Sequence, residues 1–151
     1  MKSKLIVVTT TSLSLLAGAA FAGSHMANEM TIVSWGGAYS KSQLKAYHEP
    51  YSANTGVTIL NDDSSSTAVA KLRAMNEAGN ITWDVVDVEA GPAMQLCDEG
   101  LAMEIDPDTM LAAAPDGTPA SEDFGDMLVS ECFIPQIVYS TTFGYRTDLV
   151  G

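Results

Sequence analysis

The stretch Ile32-Val33-Ser34-Trp35-Gly36-Gly37-Ala38-Tyr39 constrains this chain more than any other. β-Branched residues run into an aromatic, two glycines follow, and a helical pattern begins directly after. Such a strand–turn–helix corner fits an open α/β sheet, where a ligand binds beyond the carboxyl ends of the strands. Downstream segments alternate in the same sense. Thr31–Ser34 reads as a first strand, followed by a helix with Leu44, Tyr47 and Tyr51 on one face, bent or interrupted by Pro50 and closed by Gly56. Val57–Leu60 reads as a second strand. The loop 61–66 leads to a helix capped by Ser66, with Val69, Leu72 and Met75 facing inward up to Gly79.

Ile81–Val88 is expected as a third strand, and a short helix opening at Pro92 ends at Gly100. This β-α-β-α-β-α order calls for a parallel sheet flanked by helices. Residues 106–126, rich in Pro, Asp, Ala and Gly, read as a long loop with one helical turn near Leu111. Phe133–Tyr139 and Thr142–Tyr145 return to strand composition.

The first 22 residues stand apart. Lys2 and Lys4 precede a short apolar run from Leu5 to Leu16, and Ala20-Phe21-Ala22 supplies a small-x-small cleavage site. That is the layout of a secretory signal peptide, with an apolar run too short for a good membrane span. Residues 23–29 then form a flexible N-terminal segment, and no cysteine follows the cleavage site to carry a lipid. Without the leader, five basic residues face 19 acidic ones, a net charge of −14. Such a field repels nucleic acid and anionic lipid and attracts cationic solutes. Export also places Cys97 and Cys132 in an oxidising compartment, where a disulfide is expected; closing that interval stabilises the fold by roughly 3–4 kcal/mol. Two cysteines without neighbouring histidines make a poor zinc site, and no metal or cofactor is expected.

Four segments in this order resemble the periplasmic substrate-binding proteins of ABC importers, in particular the spermidine/putrescine-binding branch. They are Trp35-Gly36-Gly37-Ala38-Tyr39, Glu49-Pro50-Tyr51 through Thr55-Gly56-Val57, Trp83–Val88, and Cys97-Asp98-Glu99-Gly100-Leu101. The resemblance implies a type II periplasmic-binding fold with two α/β lobes that close on a solute. Residues 30–151 would form part of the first lobe, with the hinge crossings and second lobe absent. It further implies a monomeric periplasmic protein that hands a small solute, a polyamine foremost, to a membrane permease.

The resemblance puts Trp35 where polyamine binders pack a tryptophan on the ligand, and an indole face attracts a desolvated cation. Glu89 falls where those proteins carry a cleft serine, and a carboxylate there suits an ammonium group. Gly36 and Gly37 depart from the polyamine pattern. Their amides at a helix start suit a carboxylate or phosphonate, unless they serve only a tight turn. Tyr39, Ser64, Ser140 and Thr141 are further candidates at the same rim. Alternation puts Asp87 and Glu89 on one face and Asp84 on the other; the resemblance implies a structural Asp84, a cap or turn partner, and Asp87 needs hydrogen bonds if it is buried. His48 reads as a surface or packing residue, and the methionines as core filler. No catalytic residue is assigned: two histidines and no Gly-x-Ser-x-Gly elbow give little basis for a small secreted hydrolase. Amino-acid-like, aminophosphonate or metal solutes are the alternatives within the binding-protein reading.

Overall fold

The structure, a computed structural model, describes residues 28–150. The leader over residues 1–22 and residues 23–27 of the segment after it lie outside the described residues, and Glu29 at that segment's end already belongs to the first strand. Three strands, β1 Glu29–Val33, β2 Thr58–Asp62 and β3 Val85–Val86, form a parallel sheet in the order β2-β1-β3. Each crossover carries a helix, as parallel neighbours require. Val33 ends the central strand with no exposed surface, opposite Asp62 on one side and Val86 on the other. It anchors a core of Ala68, Leu72, Trp83 and Leu96, against which Val69, Met75, Val86 and Val88 pack.

The first crossover runs from α1 Gly37–Gln43 through a π-helical segment Leu44–His48 into α2 Glu49–Thr55. Pro50 occupies the first turn of α2. Proline has no N–H to donate back to residue 46, and its ring crowds that carbonyl. The chain answers by widening the preceding turn, so that the Glu49 N–H donates to the Leu44 carbonyl. The interruption expected at Pro50 is thus absorbed as a π-turn. Gly56 then closes the helix in the left-handed conformation, at φ 76°.

The second crossover begins later than the sequence suggests. β2 extends to Asp62, whose carbonyl accepts the Ser34 N–H at 2.7 Å. A 3₁₀ turn Ser65–Thr67 precedes α3 Ala68–Glu77, so Ser66 is not the N-cap. The surrounding hydroxyls are engaged elsewhere: Ser65 donates to the Asp87 carbonyl and Thr67 to the Ser64 carbonyl.

β3 is also shorter than the expected Ile81–Val88. The Asp84 carboxylate accepts the Thr31 N–H at 2.7 Å and so takes a ladder position on β1 that a strand carbonyl would otherwise fill. Asp84 is thus structural, as the resemblance implied, but as a strand partner and not as a cap or turn partner. After β3 the chain leaves for α4 Ala90–Asp98, which starts two residues before Pro92. A proline is tolerated there because first-turn amides have no intrahelical acceptor.

Two short helices, α5 Pro107–Met110 and α6 Ala120–Phe124, occupy the region expected as a loop with a single turn. Asp108 clasps them, accepting from the Ser121 N–H at 2.8 Å and its hydroxyl at 2.7 Å. Cys97 and Cys132 form the expected disulfide, with Cα atoms 5.6 Å apart. Beyond it the two strands anticipated between 133 and 145 are not formed. Strand composition yields a strand only where the backbone finds a ladder, and the β2-β1-β3 sheet does not extend to this segment. The methionines are a further correction. Met75 packs on the core, but Met94, Met103, Met110 and Met127 are exposed.

Candidate functional site

The carboxyl ends of the strands open into a cleft of about 1440 Å³, whose lining includes Trp35, Tyr39, Gln43, Asp87, Glu89 and Tyr139. Trp35 follows the buried Val33 and Ser34 at the end of β1, yet 44% of its surface is exposed. A tryptophan serving only the core would not sit that way, and Trp83, 8% exposed, provides the contrast. Trp83 Nε1 donates to the Asp62 carboxylate at 3.2 Å, and the Lys71 ammonium lies 5.2 Å from its ring centroid.

The glycine pair turns the chain after Trp35. Gly36 adopts φ 83° and ψ −175°, and Gly37 φ 62°, values that side-chain-bearing residues rarely take. The Gly36 N–H donates to Ser40 Oγ at 2.7 Å, and the Ser40 hydroxyl donates to Asp63 Oδ1 at 2.9 Å. The Gly36 amide is therefore engaged inside the protein, which corrects the expectation that it points into the cleft. Both glycines take the positive φ that the turn requires.

A chain of polar contacts lies beside the corner. The buried Ser34 hydroxyl donates to Gln43 Oε1, and Gln43 Nε2 donates to Asp87 Oδ2 at 2.9 Å. The Tyr39 hydroxyl accepts from Gln136 Nε2 at 3.0 Å and lies close enough to the same carboxylate to feel it. Burial, then the neighbouring Asp87 carboxylate, pushes the Tyr39 phenol well above the ordinary tyrosine range, so it stays protonated. Asp87 thus has a hydrogen-bond partner, as its position demands. Gln43 was missed by sequence reading, although it stands one helical turn from Tyr39, a spacing that brings two side chains together.

Glu89 behaves differently. It precedes α4 with an extended backbone, and its side chain caps no helix amide. Its carboxylate instead accepts from the exposed Tyr139 hydroxyl at 2.6 Å, and that bond raises the Tyr139 phenol above its usual range. Tyr139 and Gln136 are contacts that no local spacing could reveal.

The other candidates are not gathered here. The Ser64 hydroxyl donates to Asp62 Oδ1, and Gly36, Gly37, Ser64, Ser140 and Thr141 do not line the cleft; Ser140 and Thr141 are exposed. His48 is a packing residue and not a surface one, 5% exposed, with Nδ1 lacking a hydrogen-bond partner. Among the described residues no group of three His, Cys, Asp or Glu side chains could hold a metal ion.

Residues 46–151 match the model of a family described as bacterial extracellular solute-binding protein. The chain is 34% identical over 132 residues to the gamma-aminobutyric acid-binding protein of Pseudomonas aeruginosa, covering 86% of this chain and 35% of that protein. It thus spans about a third of the length of this curated relative. Among solved structures it is similar to the PBP AgtB of Agrobacterium tumefaciens R10 in complex with agropinic acid. There the TM-score is 0.52 and the identity 36%, over 59% of this chain and 27% of the other. The PBP MotA of A. tumefaciens B6, in complex with glucopine, aligns with TM-score 0.55 and 25% identity, over 68% of this chain and 28% of the other.

Proposed function

The chain belongs to the bacterial extracellular solute-binding proteins, and from that premise we propose that it captures a small amino-acid-like solute and passes it to the permease of an ABC importer. The reading is non-catalytic. The observation that carries it is Trp35, half-exposed at the end of the central strand and lining a cleft shared with the Glu89 carboxylate. An indole face and a carboxylate together suit an ammonium group, the indole contributing about 1–2 kcal/mol once the cation is desolvated. The names of the similar proteins favour a solute that carries a carboxylate as well as an ammonium, as gamma-aminobutyric acid does. A polyamine would use the same two side chains but lacks the carboxylate, and it stands as the second reading.

Residues 30–151 are, on this proposal, part of one lobe of a two-lobe protein, consistent with the 35% of the curated relative that the chain spans. Groups for the solute carboxylate then lie on the other lobe, since Ser40 already holds the Gly36 amide. The leader over residues 1–22 would direct the protein to the periplasm.

Calorimetric titration of the full-length protein with 4-aminobutyrate, putrescine and spermidine tests the proposal. The expected result is micromolar binding of 4-aminobutyrate, weakened about tenfold by Trp35→Ala. Binding of putrescine alone would move the assignment to polyamines. Binding of none of the three would sink the reading.

A further inference from the structure

The segment that follows the disulfide crosses the cleft mouth and touches both of its sides. Gln136 reaches Tyr39 on α1, and three residues later Tyr139 reaches Glu89 at the start of α4. Cys132 ties the beginning of this strap to Cys97 on α4. The Tyr139 side chain is not held by burial, for the residue is 64% exposed; its hydroxyl contact to Glu89 is what engages it.

The two carboxylates at the cleft are therefore in different states. Asp87 is half-buried, accepting from Gln43 Nε2 with the Tyr39 phenol beside it. Glu89 accepts from Tyr139 through Oε1, and among the described residues no cation pairs with it. Resting on the functional reading above, we propose that Tyr139 is a positioning residue that sets the site's preference for solutes bearing an ammonium group, by holding the Glu89 carboxylate at the cleft.

The physical basis is conformational. An exposed glutamate samples many rotamers, and fixing one at the moment of binding costs side-chain entropy. With Oε1 engaged by the phenol, Oε2 keeps its lone pairs for a solute ammonium in a fixed direction. A charge-assisted contact of this kind rewards a cation and penalises a neutral isostere, which must desolvate the carboxylate with nothing in return.

The test compares 4-aminobutyrate with butyrate, which keeps the carboxylate and chain but lacks the ammonium. Dissociation constants are measured on the full-length protein, wild type, Tyr139→Phe and Glu89→Gln. Tyr139→Phe is expected to lower the 4-aminobutyrate/butyrate preference about fivefold while leaving butyrate within about twofold, and Glu89→Gln to lower it further. If only putrescine binds, the same loss is expected for putrescine. A Tyr139→Phe variant that weakens both probes alike, or neither, would overturn the proposal while leaving the functional reading intact. Binding of no probe by the wild type would fell both. The contact itself is read without ligand by NMR titration of the Tyr139 phenol, which should return toward the ordinary range in Glu89→Gln. An unchanged titration would also overturn the proposal.

Discussion

The glycine corner offers a perturbation whose size can be worked from the structure. At Gly36 the backbone lies at φ 83° and ψ −175°, a region open essentially to glycine, and forcing an L-residue there costs roughly 1–3 kcal/mol. A Cβ at this position would also stand 3.3 Å from the Asp63 side chain. If Asp63 moves aside, its hydrogen bond to Ser40 goes with it, a further loss of about 1 kcal/mol. Gly37 is the built-in control. Its φ of 62° is also left-handed, but an added Cβ would meet no atom within 4 Å, so its substitution carries the conformational cost of about 1 kcal/mol without crowding. We therefore expect Gly36→Ala to destabilise by about 3 kcal/mol and Gly37→Ala by about 1 kcal/mol. Urea denaturation with fixed m-values reads the difference as a separation of the midpoints by about 1–2 M. Equal midpoints for the two variants, or a Gly37→Ala variant less stable than Gly36→Ala, would refute the assignment of Gly36 as the strained and crowded residue.

Two other outcomes follow from contacts outside the corner. Replacing both Cys97 and Cys132 by serine opens a loop with a sequence separation of 35, and chemical denaturation should record a loss of about 3–4 kcal/mol. The Asp108 carboxyl is held below the usual carboxylate range by the Ser121 N–H and then by its hydroxyl. A lowered folded-state pKa means that its stabilising effect is complete above the ordinary aspartate value of about 4 and is lost as pH falls through the folded value. Protection of the Ser121 amide, taken relative to its intrinsic exchange rate, should therefore fall on acidification below about pH 4, and Asp108→Asn should remove that acid-dependent step; an unchanged step would place the clasp elsewhere.

How far the sequence reached depends on whether the deciding contact is local. The strand–turn–helix corner was legible because β-branched residues, a glycine pair and a helical period sit side by side, and each excludes alternatives over a few residues. Gly56 and Gly79 likewise end helices where they were expected to. The length of β3 was not legible, because the Asp84 side chain competes for a ladder position on a strand more than fifty residues earlier. The third helix starts late for a similar reason: its serine and threonine hydroxyls are drawn to carbonyls instead of capping. The site divides along the same line. Trp35 came from a strand end together with the resemblance and Glu89 from the resemblance, while Gln43, one helical turn from Tyr39, was within reach of the spacing and was missed. The Tyr139–Glu89 and Gln136–Tyr39 bonds join residues 50 and 97 positions apart, and only the folded chain brings them together. Polyamine preference came from resemblance in the scaffold; the side chains that choose a solute diverge faster than the scaffold does, and the glycine pair was the visible departure.

The Ser40 bridge between the Gly36 amide and Asp63 bears on the kinetics of capture. It ties the start of α1 to the end of β2 without help from any solute, so on the proposed function the corner beneath Trp35 is held in place before an encounter. A rigid half of a binding surface adds no ordering step to association, and encounters with it are limited by diffusion and orientation. On the proposed function, changes in the exposed strap around Tyr139 should register in how long a solute stays more than in how fast it arrives.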